Sequence, residues 1–148
     1  MWQHVSHHLG RKMMSFTGSC YCGKIKYEAD GDAVMKLQCH CRECTYITGG
    51  AANLTMGVAE AGFKYTQGTP ASYKRDDIDG AVTREFCGDC GTPLLTRAPG
   101  APGAVLLKIG SLDNPADFGG PDAAIYTDEK HGFHVIADGV AQFGKLPG

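Results

Sequence analysis

Seven cysteines in three tight groups constrain this chain more than any other feature: Cys20-Tyr21-Cys22, Cys39-His40-Cys41-Arg42-Glu43-Cys44 and Cys87-Gly88-Asp89-Cys90-Gly91. Sulfurs one or two residues apart close a disulfide only with strain. They aim readily at a single metal ion. The first and third groups together supply four thiolates, a complete tetrahedral shell. The middle group supplies three and leaves a corner open. Closed shells hold folds, whereas open ones can take a water or a substrate. The spacing therefore predicts two Zn2+ per chain, a structural one at Cys20, Cys22, Cys87 and Cys90 and a catalytic one at Cys39, Cys41 and Cys44. Iron in a rubredoxin-like shell is the alternative at the four-thiolate site.

An odd number of cysteines rules out complete internal disulfide pairing. With no export signal, the close-set groups point to a reducing compartment, by default the cytoplasm. Lys and Arg number 14 against 16 Asp and Glu, a formal net charge of −2. That balance argues against nucleic acid as the main partner, because phosphate binding needs concentrated Lys and Arg. No stretch is long and apolar enough to span a membrane. The length, 148 residues, suits a single domain, read here as residues 15–148. Residues 1–14, with His4, His7 and His8 among polar neighbours, read as a flexible extension. Oligomeric state leaves no trace in the sequence.

Glycines punctuate short runs of alternating character. Ile25 and Tyr27 alternate with Lys24, Lys26 and Glu28. Phe63 and Tyr65 alternate with Lys64 and Thr66. Val82, Arg84 and Phe86 lead into the third cysteine group, and Val105, Leu106, Leu107 and Ile109 form a more fully buried run. Phe133, Val135 and Val140 to Phe143 suggest further strands. The pattern predicts a mainly β protein, barrel or sandwich. Helix is expected only after the middle cysteines, over Arg42–Thr48, and as a short piece opened by Asp113-Asn114-Pro115 and running through Phe118.

If Cys39 and Cys41 lie on extended backbone, their sulfurs share one side and His40 points to the other. His40 then serves as an acid–base group or packs beneath the strand. Glu43 reads as a solvent-facing carboxylate. Arg42, Lys74, Arg75 and Arg84 are cations able to pair with substrate carboxylates or simply to sit at the surface. A fourth protein ligand such as His131 or His134 would close the three-cysteine site and make it purely structural.

Gly18-Ser19-Cys20-Tyr21-Cys22-Gly23, the Cys39–Cys44 group and Phe86-Cys87-Gly88-Asp89-Cys90-Gly91-Thr92-Pro93-Leu94 resemble the glutathione-dependent formaldehyde-activating enzyme family, which includes the centromere protein V domain. Gly110-Ser111-Leu112-Asp113 resembles that family's segment after the buried strand. The resemblance covers the chain from Ser15 onward. It implies folded-over antiparallel sheets of the Mss4-like, or β-tent, kind with short helical turns. It also implies a structural zinc on Cys20, Cys22, Cys87 and Cys90 and a catalytic one on Cys39, Cys41 and Cys44. The implied reaction joins a thiol to an aldehyde, as in S-(hydroxymethyl)glutathione synthesis, and in reverse is that of a carbon–sulfur lyase. A small-molecule thiol, glutathione among the candidates, and an aldehyde are the implied partners. A tryptophan common near the C-terminal strand of such proteins is absent; Lys130-His131-Gly132-Phe133-His134 stands in its place. The competing reading is a zinc-stapled binding module with no catalytic activity.

Overall fold

A computed structural model describes residues 14–147. The expected extension, with Trp2, His4, His7 and His8, lies outside the described residues except for Met14. Among the described residues eleven strands form two open sheets. The smaller sheet holds β1 (Ser15–Ser19), β2 (Lys26–Asp30) and β5 (Phe63–Gln67), in the order β1-β2-β5 and antiparallel throughout. The larger runs β11-β10-β3-β4-β9-β8-β7-β6. Its members are β3 (Met35–Cys39), β4 (Asn53–Ala59), β6 (Ala71–Tyr73), β7 (Thr83–Phe86), β8 (Pro93–Arg97), β9 (Ala104–Lys108), β10 (Ala123–Ile125) and β11 (Ala141–Gln142). The pairings of β10 with β3 and with β11 are parallel, and the rest are antiparallel. The single α-helix among the described residues, α1, spans Arg42–Thr48. The mainly β expectation, with short helical turns, is met.

The two sheets meet over one apolar core. Phe16, Tyr27 and Ala29 of the small sheet pack with Met56, Val58, Leu94, Val105 and Leu107 of the large one. Strand alternation explains which residues go there: Met56 pairs with Leu107 and Val58 with Val105, so their side chains share a face. The intervening residues face the other way. Cys39 opposite Asn53, Leu37 opposite Thr55, and Thr55 opposite Lys108 define that second face. It carries a smaller cluster in which Cys39, Cys44 and Ile125 pack with Leu37 and Phe143.

Gly18 is required by close approach. A Cβ there would lie 2.2 Å from the Tyr27 ring and 2.5 Å from the Ser111 carbonyl oxygen. Tyr27 is buried, and its hydroxyl lies 2.7 Å from Ser111 Oγ, which donates to the Lys108 carbonyl oxygen at 2.8 Å. This chain ties the small sheet to the end of β9.

Several local expectations differ. Ile109 opens a 3-10 turn (Ile109–Ser111) rather than extending β9. Pro115–Phe118 is 3-10, and Asn114 makes no capping bond; its side-chain amide donates to Asp117 instead. Phe133 and Val135 lie in a loop and are exposed, so the alternation read there is not a strand. That loop folds back to bury His134 between them. The C-terminal strand is only Ala141–Gln142.

Candidate metal centres and an adjoining cleft

Each cysteine pair of the first cluster sits in a tight turn between two strands. Cys20 to Gly23 link β1 to β2, with Gly23 N–H donating to the Cys20 carbonyl at 3.1 Å. Cys87 to Gly91 link β7 to β8, with Gly91 N–H donating to the Cys87 carbonyl at 2.8 Å. Gly23 and Gly91 adopt φ of 80° and 81°, the left-handed region that glycine enters without a Cβ clash. Tyr21 N–H crosses to Thr92 Oγ1 at 2.9 Å and docks one turn on the other. The four sulfurs converge within 4.8 Å of one another. Cys20 Sγ lies 3.6 Å from Cys22 Sγ, which lies 3.8 Å from Cys87 Sγ. Tetrahedral zinc with about 2.3 Å bonds to sulfur needs separations of about 3.8 Å, so the donor set fits that ion. Backbone N–H groups of Ile25 and Cys90 reach Cys20 Sγ and Cys87 Sγ at 3.3 and 3.4 Å. The Thr92 hydroxyl beside Cys90, 3.1 Å away, holds that thiol down at about 5. The cluster joins the small sheet's first turn to the large sheet.

The second cluster forms where β3 runs into α1. Cys39 ends the strand. Cys41 is the helix N-cap, extended at φ −65° and ψ 154°, and its sulfur accepts from Cys44 N–H at 3.4 Å. Cys44 enters from the first helical turn. Gly49, left-handed at φ 80°, ends the helix. The three sulfurs lie within 4.8 Å of one another, and no fourth His, Cys, Asp or Glu joins them among the described residues. Hydrogen bonds from the Cys39 and Cys41 thiols hold Cys44 down at about 3, aided by Asn53, whereas Cys39 is pushed up by the same sharing. A set that concentrates negative charge on one sulfur suits a divalent cation.

His40 is fully buried and turned from the trio. Its Nδ1 lies 3.1 Å from Nδ1 of His134, and its Nε2 lies 3.0 Å from the Gln38 amide nitrogen. Gln38 also donates to the Val135 carbonyl at 3.0 Å, and His134 Nε2 lies 2.8 Å from the Gly50 carbonyl oxygen. One proton assignment satisfies every partner: Gln38 donates to His40, His40 Nδ1–H to His134, and His134 Nε2–H to Gly50. Burial first, then the neighbouring His134 and Lys130, pushes His40 below the usual histidine range. His134 is thus committed to this network, and His131 stacks on Phe133 with ring centroids 5.3 Å apart.

Three of the four cations singled out in the sequence engage partners within the chain. Glu43 is bridged by Arg75 and Arg84, both at 3.1 Å, and Arg75 also pairs with Asp77 at 2.7 Å. Arg42 lies over the Tyr46 ring at 3.9 Å, and its backbone N–H donates to Glu129 at 2.8 Å. Lys74 is exposed.

Sequence reading missed two residues. Asn53, buried at the start of β4, donates its amide to Cys44 Sγ at 3.3 Å. No local signal marks it. Lys108 is only 6% exposed, and a lysine inside the apolar run Val105–Ile109 was its signal. It lines a cleft of about 320 Å³ with Tyr46 and Ile47 of α1, Tyr73, Arg84 and Leu95.

Fold and sites together define a mostly β protein of two open sheets, with a four-sulfur and a three-sulfur cluster that could each hold a metal ion. The family model for glutathione-dependent formaldehyde-activating enzymes matches residues 15–129, and the chain belongs to that family. A crystal structure of a Rhodobacter sphaeroides protein, solved as a structural genomics target, is similar in fold: TM-score 0.57, 18% identity, covering 71% of this chain and 96% of that one. No match was found among curated proteins. No helix among the described residues is long and apolar enough to cross a membrane.

Proposed function

We propose that the protein is a zinc-dependent enzyme of thiol–aldehyde chemistry. It adds a thiol sulfur to an aldehyde carbon to give a hydroxyalkyl thioether, and it runs the reverse carbon–sulfur cleavage. Cys20, Cys22, Cys87 and Cys90 hold a structural ion, and Cys39, Cys41 and Cys44 a catalytic one. The observation that carries the reading is the three-sulfur cluster without a fourth protein ligand among the described residues, beside a cleft walled by the helix that presents Cys44. Zinc at that cluster would supply a coordination position for a substrate thiol and lower its pKa.

The chain's own residues do the rest. Asn53 holds Cys44 Sγ in place, and Glu43 fixes the first turn of α1 to Arg84 of β7, which lines the cleft, and to Arg75 just beyond β6. His40, with both ring nitrogens engaged by Gln38 and His134, holds the strand beneath the trio rather than exchanging a proton with substrate. Glutathione is one thiol of the expected class, and a reducing cytoplasm is the proposed setting.

Substitution Cys44→Ser with metal counting tests the reading. We expect one zinc per chain to be lost and thiol–aldehyde turnover to vanish; turnover that survives the loss sinks the catalytic assignment. Two zincs equally resistant to a mild chelator would support a stapled binding module instead.

A further inference from the structure

Lys108 ends β9 with its side chain buried, and its Nζ has no hydrogen-bond partner among the described residues. The arginines of the neighbouring strands and their flanks have carboxylates: Arg84 and Arg75 share Glu43, and Arg97 pairs with Glu85. A buried ammonium without an acceptor is costly unless something else meets its charge. Burial pushes it down to about 8, against the pull of the Cys44 thiolate charge.

Sheet register fixes what lies nearby. Lys108 pairs with Thr55, and Asn53 is two residues along on the same face. Such diagonal neighbours sit roughly 7–8 Å apart. Asn53 in turn donates to Cys44 Sγ. The ammonium and the sulfur trio therefore share one face. The cleft that Lys108 lines has the size of a small-molecule site, with Tyr46 and Tyr73 among its walls.

We propose that Lys108 is a substrate-binding residue that takes the carboxylate of a thiol or aldehyde whose acid group is adjacent to its reacting carbon or sulfur-bearing carbon. This deepens the thiol–aldehyde reading and rests on it. Small mercapto acids and 2-oxo acids with an aldehyde carbon form the class. A carboxylate within a few bonds of the reacting atom matches the short span between Lys108 and the trio. A remote carboxylate does not. The rival use of the charge is to balance three thiolates on one divalent ion, a net charge of −1.

Thioglycolate and 2-mercaptoethanol form a matched pair of probes, similar in size and differing in the carboxylate. Calorimetric binding to the full zinc-loaded chain separates the cases, with zinc content checked afterwards. We expect thioglycolate to bind at least tenfold more tightly, Lys108→Met to erase that preference while leaving 2-mercaptoethanol binding unchanged, and Lys108→Arg to keep most of it. Acetate should compete with thioglycolate and not with 2-mercaptoethanol, a test on the unaltered protein should Lys108→Met fail to fold. Equal binding of the two thiols by the unaltered protein overturns the proposal and leaves the thiol–aldehyde reading standing. A Lys108→Met protein that keeps the preference, or that sheds the second zinc before either thiol is added, also overturns it, the latter in favour of the charge-balancing role. Binding of neither thiol sinks the thiol–aldehyde reading and the proposal together.

Discussion

Asn53 places its side-chain amide 3.3 Å from Cys44 Sγ, across the sheet from Cys39. One residue thereby braces two of the three sulfurs, Cys39 through strand pairing and Cys44 through a hydrogen bond. Partners of this kind orient ligands and tune a metal, and their loss typically costs 10–100-fold in affinity. We expect Asn53→Ala to weaken zinc at the trio by about that factor and leave the four-sulfur site untouched. Chelator competition followed with a zinc-responsive dye would reveal it as one fast-released ion per chain.

The two clusters should differ sharply in what they do for stability. Cys87 is part of the main core and its cluster joins both sheets, whereas the trio packs in a separate, smaller cluster. Structural zinc contributes on the order of 10 kcal/mol in small modules. Cys87→Ser should lower the melting temperature drastically and remove most of its dependence on zinc. Cys44→Ser should lower it far less, as scanning calorimetry with and without chelator would show.

Gly18→Ala should be severely destabilising. The added methyl would collide with the Tyr27 ring on one side and the Ser111 backbone on the other. Overpacking of a well-filled interior costs about 1–3 kcal/mol or more, and backbone cannot move aside as a flexible side chain can. Urea unfolding should register the loss with an unchanged m-value.

Tyr27 gives the fold an alkaline limit. Burial raises its phenol to about 12, against the lowering effect of the Ser111 hydroxyl. A raised folded value means that the unfolded chain loses its proton first. The stabilisation is complete below about pH 10, the unfolded value, and fades as pH climbs toward 12. Tyr27→Phe should flatten this part of the stability profile. It should also cost about 1 kcal/mol at neutral pH for the lost hydrogen bond. Chemical denaturation from pH 8 to 11 would detect both effects.

What the sequence disclosed was dictated by short-range chemistry. Cysteine spacing announced both sulfur clusters, and alternation around Tyr27, Tyr65 and Phe86 marked real strands. Arg42–Thr48 was legible as a turn or two of helix after the middle cysteines, and its Cys41 N-cap and Gly49 C-cap emerged only with the structure. Failures came where long-range contacts decide. Phe133 and Val135 alternate around His134 because that histidine alone is drawn inward, by Gly50 and by a partner 94 positions away in the chain. Asn53 matters through register between β3 and β4, which no local pattern encodes, and Lys108, marked only as a lysine in an apolar run, through register between β4 and β9.

Clamping the β1–β2 turn to the β7–β8 turn also imposes an order on biosynthesis. The first two sulfurs leave the ribosome long before the last two exist. Until Cys90 emerges, the opening hairpin can hold a metal only loosely, or surrender it to a competing thiol. A nascent chain stalled between these turns would therefore be the form of this protein most exposed to zinc scarcity and to oxidation.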